Sequence, residues 1–117
     1  MYEDIITFWF EEIESEMWWK SESQFDELIR SRFHELHQQA MQGELFSWRT
    51  HTNGRLAEVI VLDQFSRNIY RNTPIAFSQD PMALALAQEA IANGIHLKLS
   101  PIECSFLLMP YMHSESI

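Results

Sequence analysis

The chain has 117 residues, of which 46% are hydrophobic, and this predicts one globular domain rather than a disordered segment. Its net charge of −9 argues against a nucleic-acid or anionic-membrane partner, and its single cysteine, Cys104, excludes an internal disulfide and a multi-cysteine zinc motif. Acidic residues soon follow Met1 and no apolar run is long enough to span a membrane, so we expect a soluble cytoplasmic protein.

Helical periodicity recurs along the chain, and no stretch alternates with a period of two for long enough to predict a strand. The first predicted helix carries an apolar stripe over residues 5–13. The second begins at a cap of the Ser-x-x-acid kind, residues 23–26, and ends at Gly43. A third helix starts near Arg55 and continues to Arg67 or further.

Two more helices are predicted in the second half of the chain. Asp80 before Pro81 is typical of an N-cap followed by proline in the first turn, and an alanine-rich helix follows over residues 82–92. Residues 100–103 predict another cap, and Pro110 should kink or end the helix that begins there, because proline lacks an amide N–H. We therefore expect an all-α fold of about five helices. The expected breaks lie near residues 15–22, 43–53, 72–80 and 94–100.

Charge is unevenly distributed along the chain. Residues 1–27 hold nine acids and one lysine, a net charge of −8, whereas residues 49–71 hold four arginines and two acids, a net charge of +2. The second segment is where a small anion would meet a local attraction.

Polar side chains interrupt this third helix, which is otherwise apolar nearly all round. The segment LDQFSRNIYR, residues 62–71, places Asp63, Arg67 and Arg71 at successive i,i+4 positions. A second polar pair lies beside them: Gln64 and Asn68. We predict that Asp63 and Arg67 form a buried pair that either only fixes the helix or also positions a ligand. Arg71 has no acid four residues before it, so its guanidinium is expected to be available for a carboxylate or phosphate, or simply to face solvent at the helix end.

The same segment, followed by Thr73-Pro74 and Ala76-Phe77, resembles the core motif of the bacterial domain-of-unknown-function family 924. Further matching segments are Phe8-Trp9-Phe10, the pairs at residues 29–30 and 32–33, and residues 108–115. The resemblance implies an all-α, tetratricopeptide-like arrangement of antiparallel helices, and it supplies no reaction. It also implies that the C-terminal part is missing, because members continue with further helix after this His-Ser-Glu. If so, Phe106, Leu107 and Tyr111 should form an uncovered apolar patch, and the chain should self-associate.

Two further groups of residues are candidates for a site. His113 and Glu115 follow Pro110 and could be a metal pair, an acid–base pair or part of a capped helix end. Three aromatic residues are predicted either to wall a pocket or to pack in the core: Trp9, Trp48 and Tyr111. No phosphate loop, dinucleotide motif or metal-ligand set is recognisable, so we predict no cofactor and no metal, and leave enzymatic activity open.

Two functions from different classes follow from these observations. The first is the binding of a small anionic ligand, or an enzymatic activity, in a polar pocket. The tentative ligand-binding residues are Asp63, Gln64, Arg67, Asn68, Arg71, His113 and Glu115. The second is a helical-repeat-like scaffold that binds a partner protein in a groove between helices. The two are distinguished by whether Arg67, Arg71 and His113 converge on one concavity.

Overall fold

The computed structural model describes residues 1–115, and within that range the chain is helical and contains no strand. The α-helices are α1 (Tyr2–Thr7), α2 (Ser23–Met41), α3 (Thr52–Ile60), α4 (Ser66–Ile69), α5 (Asp80–Ala92), α6 (Pro101–Leu107) and α7 (Met109–Glu115). Two π-helical turns, Phe8–Glu12 and Val61–Phe65, extend α1 and join α3 to α4. With α6 and α7 counted as one broken helix, these elements are the five expected helices, and the all-α fold is confirmed.

Short 3₁₀ helices occupy the connections between these helices. Their bounds are Ser15–Trp19, Phe46–Thr50, Pro74–Phe77 and Ile95–Lys98. Each lies where a break was predicted. No helix in residues 1–115 is long and apolar enough to cross a membrane.

The start and the break of the last helix follow the predicted local chemistry. The Ser100 hydroxyl accepts a hydrogen bond from the Glu103 amide, and the Glu103 carboxylate accepts one from the Ser100 amide, so the capping box is confirmed. The helix then breaks at Leu108, and Pro110 falls in the first turn of α7, where its missing N–H costs no hydrogen bond.

Two acids that were predicted to cap helices do not do so. The residue before α2 is Glu22, with no side-chain cap bond, and Asp26 instead turns its carboxylate into the protein interior. Asp80 is the first residue of α5 rather than its cap, and its carboxylate accepts hydrogen bonds from another helix. Both acids form ion pairs, and a charged partner binds a carboxylate more strongly than a backbone amide does.

The helix formed by α3, its π turn and α4 lies at the centre of the fold. It packs against α1, α2, α5 and α6, so most of its side chains are buried. Gly54, near its start, touches the preceding 3₁₀ helix so closely that a β-carbon there would lie 2.1 Å from the Trp48 carbonyl oxygen. Only glycine fits at this position, and the helix begins at Thr52, ahead of the predicted start at Arg55.

Aromatic side chains fill the core, and the predicted apolar patch on the late helices is wrong in two of its three residues. Phe106 and Leu107 are buried, and Trp18 and Trp19 pack on the Phe106 ring with centroid distances of 5.0 and 5.8 Å. Only Tyr111 of the predicted patch is partly exposed. The N-terminal 3₁₀ segment therefore covers the surface that was expected to be bare.

Candidate functional site

The polar segment of the central helix contains a π-helical turn at Val61–Phe65. A π turn adds one residue to the helical turn, so the side chains beyond it are rotated relative to a regular α-helix. The turn places Asp63 in the interior, with its carboxylate almost completely buried. Such turns occur frequently at functional sites, and this one begins the segment that carries the candidate residues.

The Asp63 carboxylate is shared among three side chains. His113 Nδ1 lies 2.7 Å from Oδ1, Gln64 Nε2 lies 2.9 Å from Oδ2, and Arg67 Nη1 lies 3.3 Å from Oδ1. Because a carboxylate oxygen accepts, Nδ1 of His113 carries the hydrogen of this bond. A buried aspartate that orients a histidine in this way can help the ring to hold or transfer a proton.

The prediction that Asp63 and Arg67 satisfy each other is wrong in one respect: the two side chains are paired at 3.3 Å, but this is not the main contact of Arg67. The main partner of Arg67 is Asp80 at the start of α5, which accepts from Nη1 and Nη2 at 3.0 Å each. Arg67 also donates to the Asp63 backbone oxygen at 2.9 Å, and its guanidinium lies over the Phe77 ring at 5.3 Å. Arg67 therefore joins α4 to α5 in addition to stabilising its own helix.

The prediction of an unpaired Arg71 is also wrong. The Asp26 carboxylate on α2 accepts from Arg71 Nε at 2.5 Å and from Nη2 at 3.0 Å, and it accepts a third hydrogen bond from Asn68 at 2.9 Å. The hydrogen bonds to Asp26 raise the pKa of Arg71 above its already high ordinary value. Asp26 lies 45 residues before Arg71, so i,i+4 spacing could not reveal this pair.

The other two arginines of residues 49–71 are paired as well. Arg49 donates two hydrogen bonds of 2.9 Å to the buried Glu58, and these raise the pKa of Arg49. Arg55 lies 3.3 Å from Glu89. The local positive charge expected from the sequence is therefore largely balanced by acids, several of them from other segments.

Arg67, Arg71 and His113 nevertheless converge on one cavity of about 270 Å³, which we call the donor-lined cavity. Gln64 and Asn68 complete its helix α3–α4 side. The opposite side is formed by residues 18–21 and by Met109 of α7. Among the described side chains, no carboxylate lines this cavity, because Asp26, Asp63 and Asp80 bind the arginines and His113 on the side away from it.

The aromatic wall of the cavity differs from the predicted one. Trp9 and Trp48 are buried in the core and do not line it, whereas Trp18 and Trp19 do. Tyr111 lies in a neighbouring concavity of about 580 Å³. The side chain of Glu115, also predicted to belong to the site, lies outside what the structure describes. Within the described residues, no three His, Cys, Asp or Glu side chains are grouped so that they could hold a metal ion.

A buried histidine near the site escaped the sequence analysis. His37 Nε2 lies 2.7 Å from the Ser66 hydroxyl, which itself donates to the Leu62 carbonyl at 2.6 Å. Burial lowers the pKa of His37 to about 4, so the ring is neutral at pH 7. His37 follows Phe33 by four residues on the apolar side of α2, a spacing that indicates burial.

Comparison with known proteins agrees with the fold described above. A family model described as bacterial protein of unknown function (DUF924) matches residues 5–117. No curated protein matches the chain. The solved structure of a protein of unknown function from Agrobacterium tumefaciens is similar, with a TM-score of 0.90 and 32% identity, covering 96% of this chain and 63% of that one.

The chain therefore spans less than two thirds of the length of that relative. Since the family model extends over nearly all of the 117 residues, the chain belongs to the DUF924 family of bacterial proteins of unknown function.

Proposed function

We propose that this protein binds a small anionic ligand, carrying a carboxylate or a phosphate, in the donor-lined cavity. One observation supports the proposal above all others. The chain has 17 acids and 8 lysines and arginines, yet the cavity is lined by Lys20, Arg67 and Arg71 and by no carboxylate of residues 1–114. Two amide side chains add further donors, and His113 also lies on the wall. Such a wall is complementary to an anion.

The acids behind the cavity hold the cationic side chains in place for such a ligand. Arg71 uses Nε and Nη2 for Asp26, and no described residue accepts a hydrogen bond from its Nη1. Because the guanidinium is already oriented, less side-chain entropy is lost when a ligand binds. Asp26 also weakens the attraction that Arg71 exerts on an anion.

Lys20 contributes a cavity charge that is paired with no acid among the described side chains. In residues 1–115 its ammonium has no ion-pair or hydrogen-bond partner, and its side chain is exposed. Removal of its charge should therefore lower the affinity for an anion while changing the free energy of unfolding little.

We expect inorganic phosphate or succinate to bind the wild type by isothermal titration calorimetry at low ionic strength, and Lys20→Gln to weaken binding about three- to tenfold. The matched control is Lys98→Gln, which removes the same charge at a position that does not line the cavity. Equal loss in both variants would mean that net charge, not the cavity, governs binding. No binding of either anion to the wild type would contradict the proposal.

The alternative function is a scaffold that binds a partner protein. The tetratricopeptide-like arrangement and the cytoplasmic location that the sequence suggested stay proposals. A scaffold distributes its contacts over the surfaces of its repeats. The convergence of Arg67, Arg71 and His113 on one cavity favours a pocket instead.

A further inference from the structure

We infer that the ligand of the donor-lined cavity carries an apolar tail, so that it is a free, monomeric amphiphile with one anionic head and a linear hydrocarbon chain. This inference rests on the proposed function. It assigns the tail to the neighbouring concavity of about 580 Å³, which we call the apolar groove. The groove is lined by Trp19, Ser105, Leu108, Met109, Tyr111 and Met112.

The apolar groove exposes large hydrophobic side chains that nothing in the described chain covers. Trp19 is 65% exposed, Met112 is 61% exposed and Leu108 is 37% exposed. Leu108 and Met112 are four residues apart at the break between α6 and α7, and they lie in the same groove. A concentration of exposed apolar surface in one concave place is typical of a binding surface.

The groove adjoins the donor-lined cavity. Trp19 and Met109 line both concavities, so the two lie side by side at these side chains. Trp19 is held by stacking on Phe106, with ring centroids 5.8 Å apart and an interplanar angle of 12°. An anionic head beside Lys20 and Arg71 would therefore lead its tail directly onto an apolar wall.

The chemistry of the groove favours a flexible hydrocarbon chain over a rigid or polar occupant. Two of its residues are methionines, whose unbranched and polarizable side chains adapt to a tail of variable shape. Among the described side chains that line the groove, none is charged, and Ser105 is the one serine or threonine. A long anionic chain would thus find donors at one end and apolar contacts along the rest.

A free molecule fits these observations better than a lipid surface does. The net charge of −9 repels an anionic bilayer, and residues 1–27, which include Trp19 and Lys20, carry −8 of it. The donors also lie in a concave cavity rather than on a convex, basic face. We therefore commit to a single molecule that enters the protein from solution.

The test is a chain-length series of carboxylates, from butyrate to decanoate, measured by calorimetry below the micellar concentration. Affinity should rise with length, by up to about fourfold for each methylene that leaves water, and then level off when the groove is full. Phosphate should compete with decanoate, and decanol should bind at least tenfold more weakly because it lacks the charged head.

Two variants locate the tail. Met112→Gln keeps the side-chain length but adds a polar amide in the groove, and it should weaken decanoate at least threefold while leaving the phosphate affinity unchanged. Leu97→Gln is the matched control, since Leu97 is 79% exposed and lies outside the groove, and it should leave both affinities unchanged. Lys20→Gln should weaken phosphate and decanoate by the same factor.

Several results would overturn the inference and leave the proposed function in place. One is that phosphate binds but affinity does not rise from butyrate to decanoate. Another is that the affinity for decanoate is unchanged by Lys20→Gln or by Met112→Gln. Binding to anionic vesicles but not to monomeric decanoate would do the same, as would a dimer that Met112→Gln dissociates, since a second copy would then fill the groove. Failure of phosphate and of every carboxylate to bind would instead contradict the proposed function itself.

Discussion

Each cationic residue of the central polar segment is held by an acid from another part of the chain. Asp26 on α2 holds Arg71, and Asp80 on α5 holds Arg67. These pairs connect three helices around one cavity, and they place Arg67 and Arg71 on its wall. The same contacts therefore stabilise the fold and shape the site.

The Asp26–Arg71 pair should contribute measurably to stability. Asp26 has 8% of its side chain exposed and Arg71 has 31%. Removing one partner of a fully buried pair costs roughly 3–5 kcal/mol, and the partial exposure of Arg71 should reduce this to about 2 kcal/mol for Arg71→Gln. Urea unfolding of Arg71→Gln, Asp26→Asn and the double variant measures the coupling. Strictly additive single losses would show that the two side chains do not interact.

His37 should make stability depend on pH. Its pKa is about 4 in the folded protein because of burial, and the ordinary value is 6.5, so the unfolded chain binds the proton more readily. Its contribution is therefore complete above pH 6.5 and is lost as the pH falls toward 4, by up to roughly 3 kcal/mol. Urea unfolding between pH 7 and pH 4.5 would measure this slope. His37→Gln should flatten it, and an unchanged slope would assign the effect to other groups.

At the scale of the element, the first turn of the central helix is in close contact with the segment before it. Gly54 lies in α3 directly against the Trp48 carbonyl of the preceding 3₁₀ helix. A few turns later the π turn at Val61–Phe65 reorients the side chains that follow. The helix thus departs from a regular isolated α-helix in two places: at its start, by close packing, and in its middle, by the π turn.

Gly54→Ala provides a test of that close approach. Alanine is the better helix former by about 1 kcal/mol, so helix propensity alone predicts that the variant is more stable. The new β-carbon would instead lie 2.1 Å from a backbone oxygen, and we expect a loss of roughly 1–3 kcal/mol from overpacking. The comparison is Asn53→Ala, an exposed neighbour in the same helix, which should be neutral or stabilising in thermal unfolding. A stabilised Gly54→Ala would contradict the packing.

At the scale of the whole molecule, acidic charge is in excess. The net charge is −9, and the arginines of residues 49–71 are paired with acids. Self-repulsion among the remaining acids should destabilise the compact state more than the unfolded chain. Buried ion pairs are less affected by salt than exposed charges are.

Moderate salt should therefore stabilise the protein. Raising NaCl from 10 to 150 mM in Tris at pH 7 should raise Tm by about 4 °C, corresponding to about 1 kcal/mol for a chain of this size. Circular dichroism melts would measure the shift. Lys20→Gln should show the same rise in Tm, because the repulsion is spread over the whole surface. A rise confined to the wild type would instead indicate chloride bound in the donor-lined cavity. A fall in Tm would mean that attractive surface pairs dominate.

The sequence by itself determined the helical elements and their breaks. Apolar spacing, the Ser100–Glu103 cap, Gly43 and Pro110 act within one or two turns of chain, so their effects are readable locally. The same local rule grouped Gln64, Arg67, Asn68 and Arg71, since residues of one short helical segment are necessarily close.

Only the tertiary structure decided which partners these side chains have. Arg71 meets Asp26 across 45 residues, and Arg67 meets Asp80 across 13, because helices distant in sequence pack side by side. The same packing buries Trp9 and brings Trp18 and Trp19 to the cavity wall. Periodicity shows which side of a helix is apolar, whereas the identity of the facing surface depends on the whole fold.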